Sequence, residues 1–429
     1  MGIPLTQSGG AFTPQPLRAQ FSLLLTVVTL VVCFSEGFGY FLRDTYNLPS
    51  PHLLGIPTFG MALVIFYYKI RNFQIQQQIN ISLFFVIFAT FWLFLQLAVR
   101  DTAHVLGYGQ AVLFIVMLYW TRKLFEQIPG RRDEERLLGK TLGTALVLHY
   151  VQIGAIVFIA VAWHATGISF NLLEFLSQPV ISENYGFRSS GISREPAWAA
   201  VGLASTYLII HYLAPERRTS ALVGFILAAW LINSGTAYLF GVVFGAMYVF
   251  RQRSNMLILL GGVFALIAIG LMTYLQWDRI GVVLQGADPS FNMRYASAKV
   301  GLEVIYDSFP IGTGYGNYRL FGVYGAEFDS FINLELISFY KSDILFLNIL
   351  SELGIVGILF IAAFYHAIRV RGRFIPTIIF LIILFLFGTI IVPPLILIAA
   401  TSGLLAGRER RTRLSRSHSG LPLAEFPRA

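Results

Sequence analysis

The sequence predicts an all-α fold: a polytopic membrane protein of about 12 transmembrane helices with two long loops on one side. Three observations predict it. The 429 residues are 56% hydrophobic and only 12% charged, where a soluble domain carries about 25% charge. Apolar runs long enough to cross a hydrocarbon core of about 30 Å recur along the whole chain. The Lys and Arg residues gather in connections that all fall on one side when those runs are counted as spans.

The elements follow in order. Residues 1–20 are polar and read as a cytoplasmic N-terminal segment. The run at 21–42 is long for a signal peptide, is interrupted by Glu36 and lacks a small-residue cleavage site, so it reads as a retained first span. Further spans are expected at 52–70, 79–98, 102–120, 140–163, 197–213, 218–232, 235–250, 255–275, 343–367, 374–391 and 393–407. Pro393 and Pro394 divide the last apolar stretch, which favours a re-entrant pair of short helices over one long tilted helix. Residues 21–407 form the transmembrane domain, and 408–429 a basic cytoplasmic tail.

Orientation comes from the cations. Arg122, Lys123, Arg131, Arg132, Arg136 and Lys140 follow span four. Arg217 and Arg218 follow span six, Arg251 and Arg253 span eight, and Arg369, Arg371 and Arg373 span ten. The tail adds Arg408, Arg410, Arg411, Arg413 and Arg416. Positive-inside placement makes that side cytoplasmic and both termini cytoplasmic. It also accounts for the net charge of +9 without nucleic acid as a partner. The lipid bilayer is the partner that composition requires.

Two hydrophilic loops then lie on the periplasmic side, at 164–196 and 276–342. The second holds five basic and seven acidic residues, with aromatics throughout, as a folded loop should. There is no internal repeat and the long loops are unmatched, which disfavours a transporter. Cys33, the lone cysteine, supports neither a disulfide nor a thiolate metal site. His149 and His164 are too far apart in sequence for a local ligand pair. Neither metal nor cofactor is expected.

Three segments carry candidate chemistry. The first is Tyr185-Gly186-Phe187-Arg188-Ser189-Ser190-Gly191-Ile192-Ser193-Arg194-Glu195-Pro196. Glu195 and Pro196 suit a helix start. Arg188 reads either as an anion-binding guanidinium or as an interfacial arginine that snorkels. The second runs from Phe291 to Ile305, where Arg294, Ala298, Gly301 and Ile305 follow helical spacing, as in an amphipathic surface helix. Pro310-Ile311-Gly312-Thr313-Gly314-Tyr315-Gly316-Asn317-Tyr318 follows it. Its alternating glycines either present N–H groups to a phosphate or build an ordinary tight loop. The third opens span ten, from Lys341 to Gly357. Glu352 lies nine residues into that span, where a carboxylate is either functional or a buried packing acid. Asp343 at the helix mouth reads as a cap or as a base.

In this order the three segments resemble the bacterial O-antigen ligase and polymerase superfamily. Arg188, Gly191 and Pro196 match its arginine-bearing loop before a mid-chain span. Arg294, Pro310, Gly312 and Gly314 match a second arginine and a P-x-G-x-G turn. Asp343, Glu352, Gly354 and Gly357 match a polar residue, an apolar helix and an E-x-G-x-x-G ending. The resemblance spans roughly 185–360. It departs at Asp343, where ligases usually carry histidine, and at Asn233-Ser234-Gly235-Thr236, where the family often has Ser-Arg. The missing histidine favours a repeat-unit polymerase over a ligase, and the chain is similar to exopolysaccharide polymerases of the xanthan type.

The resemblance implies a GT-C-like, metal-independent glycosyltransferase in the bacterial inner membrane, with its active site on the periplasmic face. Its donor and acceptor would be oligosaccharides linked to undecaprenyl pyrophosphate. Partners would be a flippase and chain-length or export proteins of the same pathway. Arg188 and Arg294 would bind the pyrophosphate, and Asp343 or Glu195 would act as base. Arg194, Lys299, Gly312, Gly314, Tyr315, Tyr318, Lys341 and Glu352 are the further substrate-binding candidates. A ligase that transfers glycan to lipid A core and a flippase for lipid-linked oligosaccharide are the alternatives.

Overall fold

A computed structural model describes residues 76–100, 105–126, 131–167, 180–182, 186–193, 196–250, 270, 281, 289–317, 344–369, 375–387 and 395–419. The spans expected at 21–42 and 52–70, and nearly all of that at 255–275, lie outside the described residues.

The described chain is almost entirely helical. Its long helices are α1 (Gln76–Arg100), α2 (Val105–Glu126), α3 (Arg131–Thr166) and α4 (Pro196–Leu213). Two shorter ones, α5 (Arg218–Ile232) and α6 (Gly235–Phe250), coincide with the expected spans. Then come α7 (Pro289–Ser308), α8 (Leu345–Leu353), α9 (Val356–Ile368), α10 (Ile375–Leu386) and α11 (Leu395–Ser419). Among the described residues, the segments Ser82–Arg100, Gly139–Thr166 and Pro196–Leu213 are long and apolar enough to cross a membrane.

The helical expectation holds over the described residues, with local departures. Two short antiparallel strands, β1 (Val180–Ser182) and β2 (Gly186–Arg188), pair with Val180 opposite Arg188. Span ten is not one helix: it breaks between α8 and α9, where Gly354 takes φ +59°. The cation-rich connection after span four is largely helical, because α3 begins at Arg131. The basic tail is helical as far as Ser419, because α11 continues through it. The stretch at 374–407 holds two helices, as expected, but the second is not short, since it runs on to Ser419.

The solvent these helices meet can be read from their exposed faces. Phe84, Ile87, Phe91 and Phe94 recur at three- and four-residue spacing on α1, and all are exposed. Val147, Val151, Phe158 and Val161 of α3, spaced by four, seven and three residues, are also exposed. Stripes this apolar suit lipid, not water. The opposite faces pack into one core, centred on α4, whose Ala199, Ala200, Val201, Tyr207 and Ile209 are fully buried. His149 of α3 ties three helices inside it. Its Nε2 donates to the Ala221 carbonyl of α5 at 3.1 Å, and its Nδ1 meets the Thr206 hydroxyl of α4 at 2.9 Å. The histidine is thus a helix-to-helix bridge.

Interhelical hydrogen bonds in membranes are worth about 0.6 kcal/mol on average and up to about 1.7. His149→Leu should therefore cost about 1–2 kcal/mol, seen as easier unfolding of the detergent-solubilised protein in SDS titration.

Candidate functional site

The second and third candidate segments come together as one unit. α7 ends at Ser308, and the chain then turns through 309–314 against the break between α8 and α9. The Thr313 N–H donates to the Ser351 carbonyl at 2.8 Å and the Gly314 N–H to the Glu352 carbonyl at 3.2 Å. In return, the Ile355 N–H donates to the Pro310 carbonyl at 2.9 Å. The two backbones touch so closely that neither side has room for a Cβ. One at Gly312 would lie 2.6 Å from both the Glu352 carbonyl oxygen and the Gly354 nitrogen. One at Gly354 would overlap the Pro310 carbonyl. Both glycines also have positive φ, +84° and +59°, where other residues are strained.

One face of α1 fastens this knot. Trp92, Gln96 and Arg100 are spaced four residues apart, so they stack along one side of the helix. Trp92 Nε1 donates to the Leu353 carbonyl at 3.0 Å. Gln96, fully buried, donates its amide to the Ile311 carbonyl at 2.9 Å and to the Glu352 carbonyl at 2.7 Å. Arg100 Nε donates to the Gly312 carbonyl at 3.1 Å.

The first segment is built the same way elsewhere in the bundle. Beyond β2, residues 189–192 are buried between α3 and α5. The Ser189 N–H donates to the Leu231 carbonyl and its hydroxyl to the Ile156 carbonyl, both at 3.1 Å. Gln152 of α3 serves the rest of the loop. Its amide reaches the Ser190 carbonyl at 3.3 Å and Ser193 Oγ at 3.2 Å, and its Oε1 accepts the Ile192 N–H at 3.3 Å. Gly191 is pressed against the Gln152 and Ile156 side chains.

The predicted residues are distributed as follows. Arg188 ends β2, half-buried, next to Phe187, which stacks on Trp163 at 5.2 Å. Arg294 is exposed in the first half of α7, and Lys299 is half-buried about one turn further on. Gly312, Gly314, Tyr315 and Glu352 meet in the knot. The N–H groups of Gly312, Thr313 and Gly314 all donate to protein carbonyls. The tight-loop reading therefore fits, and a phosphate cradle from these three groups does not. Tyr315 is edge-on to Tyr108 at 5.8 Å. Burial pushes its phenol pKa up, and the Glu352 carboxylate adds to the rise. Asp343, Glu195, Arg194, Tyr318 and Lys341 lie outside the described residues.

The sequence predicts α7 as an amphipathic surface helix along Arg294, Ala298, Gly301 and Ile305; of these Gly301 is buried, Ala298 and Ile305 are half-buried and Arg294 is exposed. Ala296, Val300, Val304 and Ser308 are covered, while Tyr295, Leu302, Tyr306 and Phe309 are exposed. Sequence reasoning missed Trp92, Gln96, Arg100 and Gln152. The two glutamines did carry a signal, as polar side chains inside apolar runs. Among the described residues, no three His, Cys, Asp or Glu side chains gather as metal ligands.

Fold and site define a helical membrane protein with two irregular loops packed into its bundle. Residues 220–362, about a third of the chain, match the family model described as O-antigen ligase. The match takes in α5 to α8, the knot and half of α9, and it supports a likeness to the O-antigen ligase/polymerase superfamily. No curated protein and no solved structure matches the chain.

The knot predicts a sharp contrast between glycines. Gly354→Ala should cost at least about 2 kcal/mol from the left-handed backbone and the overlap together. Gly241→Ala should be close to neutral, since a Cβ there meets Phe225 at an ordinary 3.9 Å. Yield and thermal stability of the two variants in detergent check this.

Proposed function

We propose that this protein polymerises oligosaccharide repeat units carried on undecaprenyl pyrophosphate, on the periplasmic face of the bacterial inner membrane. The family match over the knot carries the reading. The carboxylates and arginines supply its chemistry. A hydroxyl of the incoming repeat unit attacks the anomeric carbon of the growing chain. The bond from that carbon to the pyrophosphate oxygen breaks, and undecaprenyl pyrophosphate leaves. Asp343 takes the hydroxyl proton, with Glu195 as the second candidate. Arg188 and Arg294 neutralise charge developing on the leaving diphosphate, for which a planar guanidinium fork is well shaped. Tyr315 and Tyr318 offer rings on which sugars stack. Arg194, Lys299 and Lys341 add cations around the same anionic substrate.

The family description names the competing reading, an O-antigen ligase, which would move a finished glycan to lipid A core. The acceptor separates them, and Asp343 in place of a histidine favours the polymerase.

Purified protein in nanodiscs, given lipid-linked repeat units and no other acceptor, should yield a ladder of lengthened glycans that survives EDTA. A product formed only when lipid A core is added would identify the ligase. No product under either condition would leave the flippase. Arg188→Ala and Arg294→Ala should each lower the polymerisation rate by about 100-fold or more, with little rescue by lysine. Full activity in both variants would rule out the pyrophosphate clamp.

A further inference from the structure

We propose that the end of the bundle opposite the knot holds a phosphate-binding site, built on Arg122 where α2, α9 and α11 cross, whose ligand is the headgroup of an anionic phospholipid.

The crossing is unusually close. Gly403 and Gly407, four residues apart on α11, press their backbone onto α2. A Cβ at Gly403 would overlap the Arg122 carbonyl, and one at Gly407 would lie 2.6 Å from the Glu126 carbonyl. Small residues at this spacing let two membrane helices meet backbone to backbone. The Ser402 hydroxyl donates to the Ile368 carbonyl at 2.9 Å and draws in the end of α9. These contacts leave Arg122 only 8% exposed.

A buried guanidinium needs both hydrogen-bond acceptors and a counter-charge. Arg122 Nη1 donates to the His366 carbonyl in the last turn of α9, which is the ordinary role of a C-terminal cap. That cap uses one of five N–H groups. The buried Nε has no hydrogen-bond partner among the described residues. Among the described residues, no salt bridge to Arg122 is present. Glu126 is the nearby carboxylate, and it pairs with Lys123 at 2.8 Å. Arg369 lies 5.9 Å over the Tyr365 ring. The charges of Arg122, Arg369 and Lys123 all act on the His366 ring, with Glu126 alone opposing them. Two further cations and one carboxylate thus gather around a buried arginine.

Phosphate suits this cluster because its oxygens accept from a guanidinium fork and from an ammonium together. The lipid source follows from location. The site lies between helices at the end of the bundle where the chain concentrates its cations, with Arg371, Arg373, Arg408 and Arg410 next in sequence. Basic pockets between helices at such an end take anionic headgroups.

Native mass spectrometry of the full chain, released from detergent with phosphatidylglycerol or phosphatidylcholine, tests the site without reference to any enzymatic activity. Wild type should retain phosphatidylglycerol in clear excess. Arg369→Gln and Lys123→Gln, which leave the α9 cap in place, should each reduce that excess about fivefold, the worth of one cation near an anionic lipid. Arg122→Gln should abolish it. Equal retention of the two lipids by wild type, or an undiminished excess in both cap-sparing variants, would overturn the site. A thermal shift with inorganic phosphate in wild type but not in the variants, without a lipid preference, would overturn the lipid as the source and keep the phosphate.

Discussion

The fit of the 310–314 turn against the 352–355 break is the constraint on which the rest of the site depends. Two stretches of backbone exchange hydrogen bonds with no side chain between them. That contact fixes where α7 ends, where α8 stops and in which direction α9 leaves. It also explains two demands on glycine at once, positive φ and close approach at Gly312 and Gly354; a separate close approach lies at Gly357, where a Cβ would be 2.6 Å from the Ile349 carbonyl. A single methyl group at the contact would push the two segments apart.

Irregular backbone inside a membrane protein survives only where every polar group finds a partner within the protein. Here the same solution is used twice. Gln96 on α1 serves the Ile311 and Glu352 carbonyls, and Gln152 on α3 serves three groups of the 190–193 loop. A glutamine is suited to this because its amide bonds to backbone without the desolvation cost of a charge; Gln152 both donates and accepts, whereas Gln96 only donates and its buried Oε1 has no partner among the described residues. Each loop is therefore held by a span that contributes nothing to its own segment of sequence. The aromatic packing of Tyr108 against Tyr315 and Phe360, at 5.8 Å each, extends the same fastening from α2.

Much of the helical layout was legible because a lipid-facing helix must be apolar and its connections polar. The bounds of α5 and α6 follow from Arg218 and from the Asn233-Ser234 turn, where Asn233 adopts φ +47°. The break at Gly354 was not legible, since glycine also occurs inside unbroken spans and nothing local distinguishes the two cases. The strands β1 and β2 are three residues each, too short to carry a period. At the site, the motif glycines and Glu352 could be named, but their role could not. Whether an N–H faces a ligand or a carbonyl some forty residues later in the chain depends on tertiary contact. Gln96 and Arg100 were passed over because their partners lie more than 200 residues away.

The geometry also redistributes the chemistry. Arg294 and Ser308 are separated by most of α7, a distance of about 20 Å along the helix axis. A guanidinium at Arg294 therefore acts at the far end of α7 from the glycine turn. If Arg188 and Arg294 hold one pyrophosphate, they meet near the start of α7, and the glycines do not touch that anion. The turn and the helix then have different tasks. The knot immobilises the end of α7 against α8, and the stiff helix projects its arginine from that fixed point. If Arg294 acts as proposed, rigidity at Gly312 and Gly354 gives the helix that carries it a fixed end several turns away from the charge.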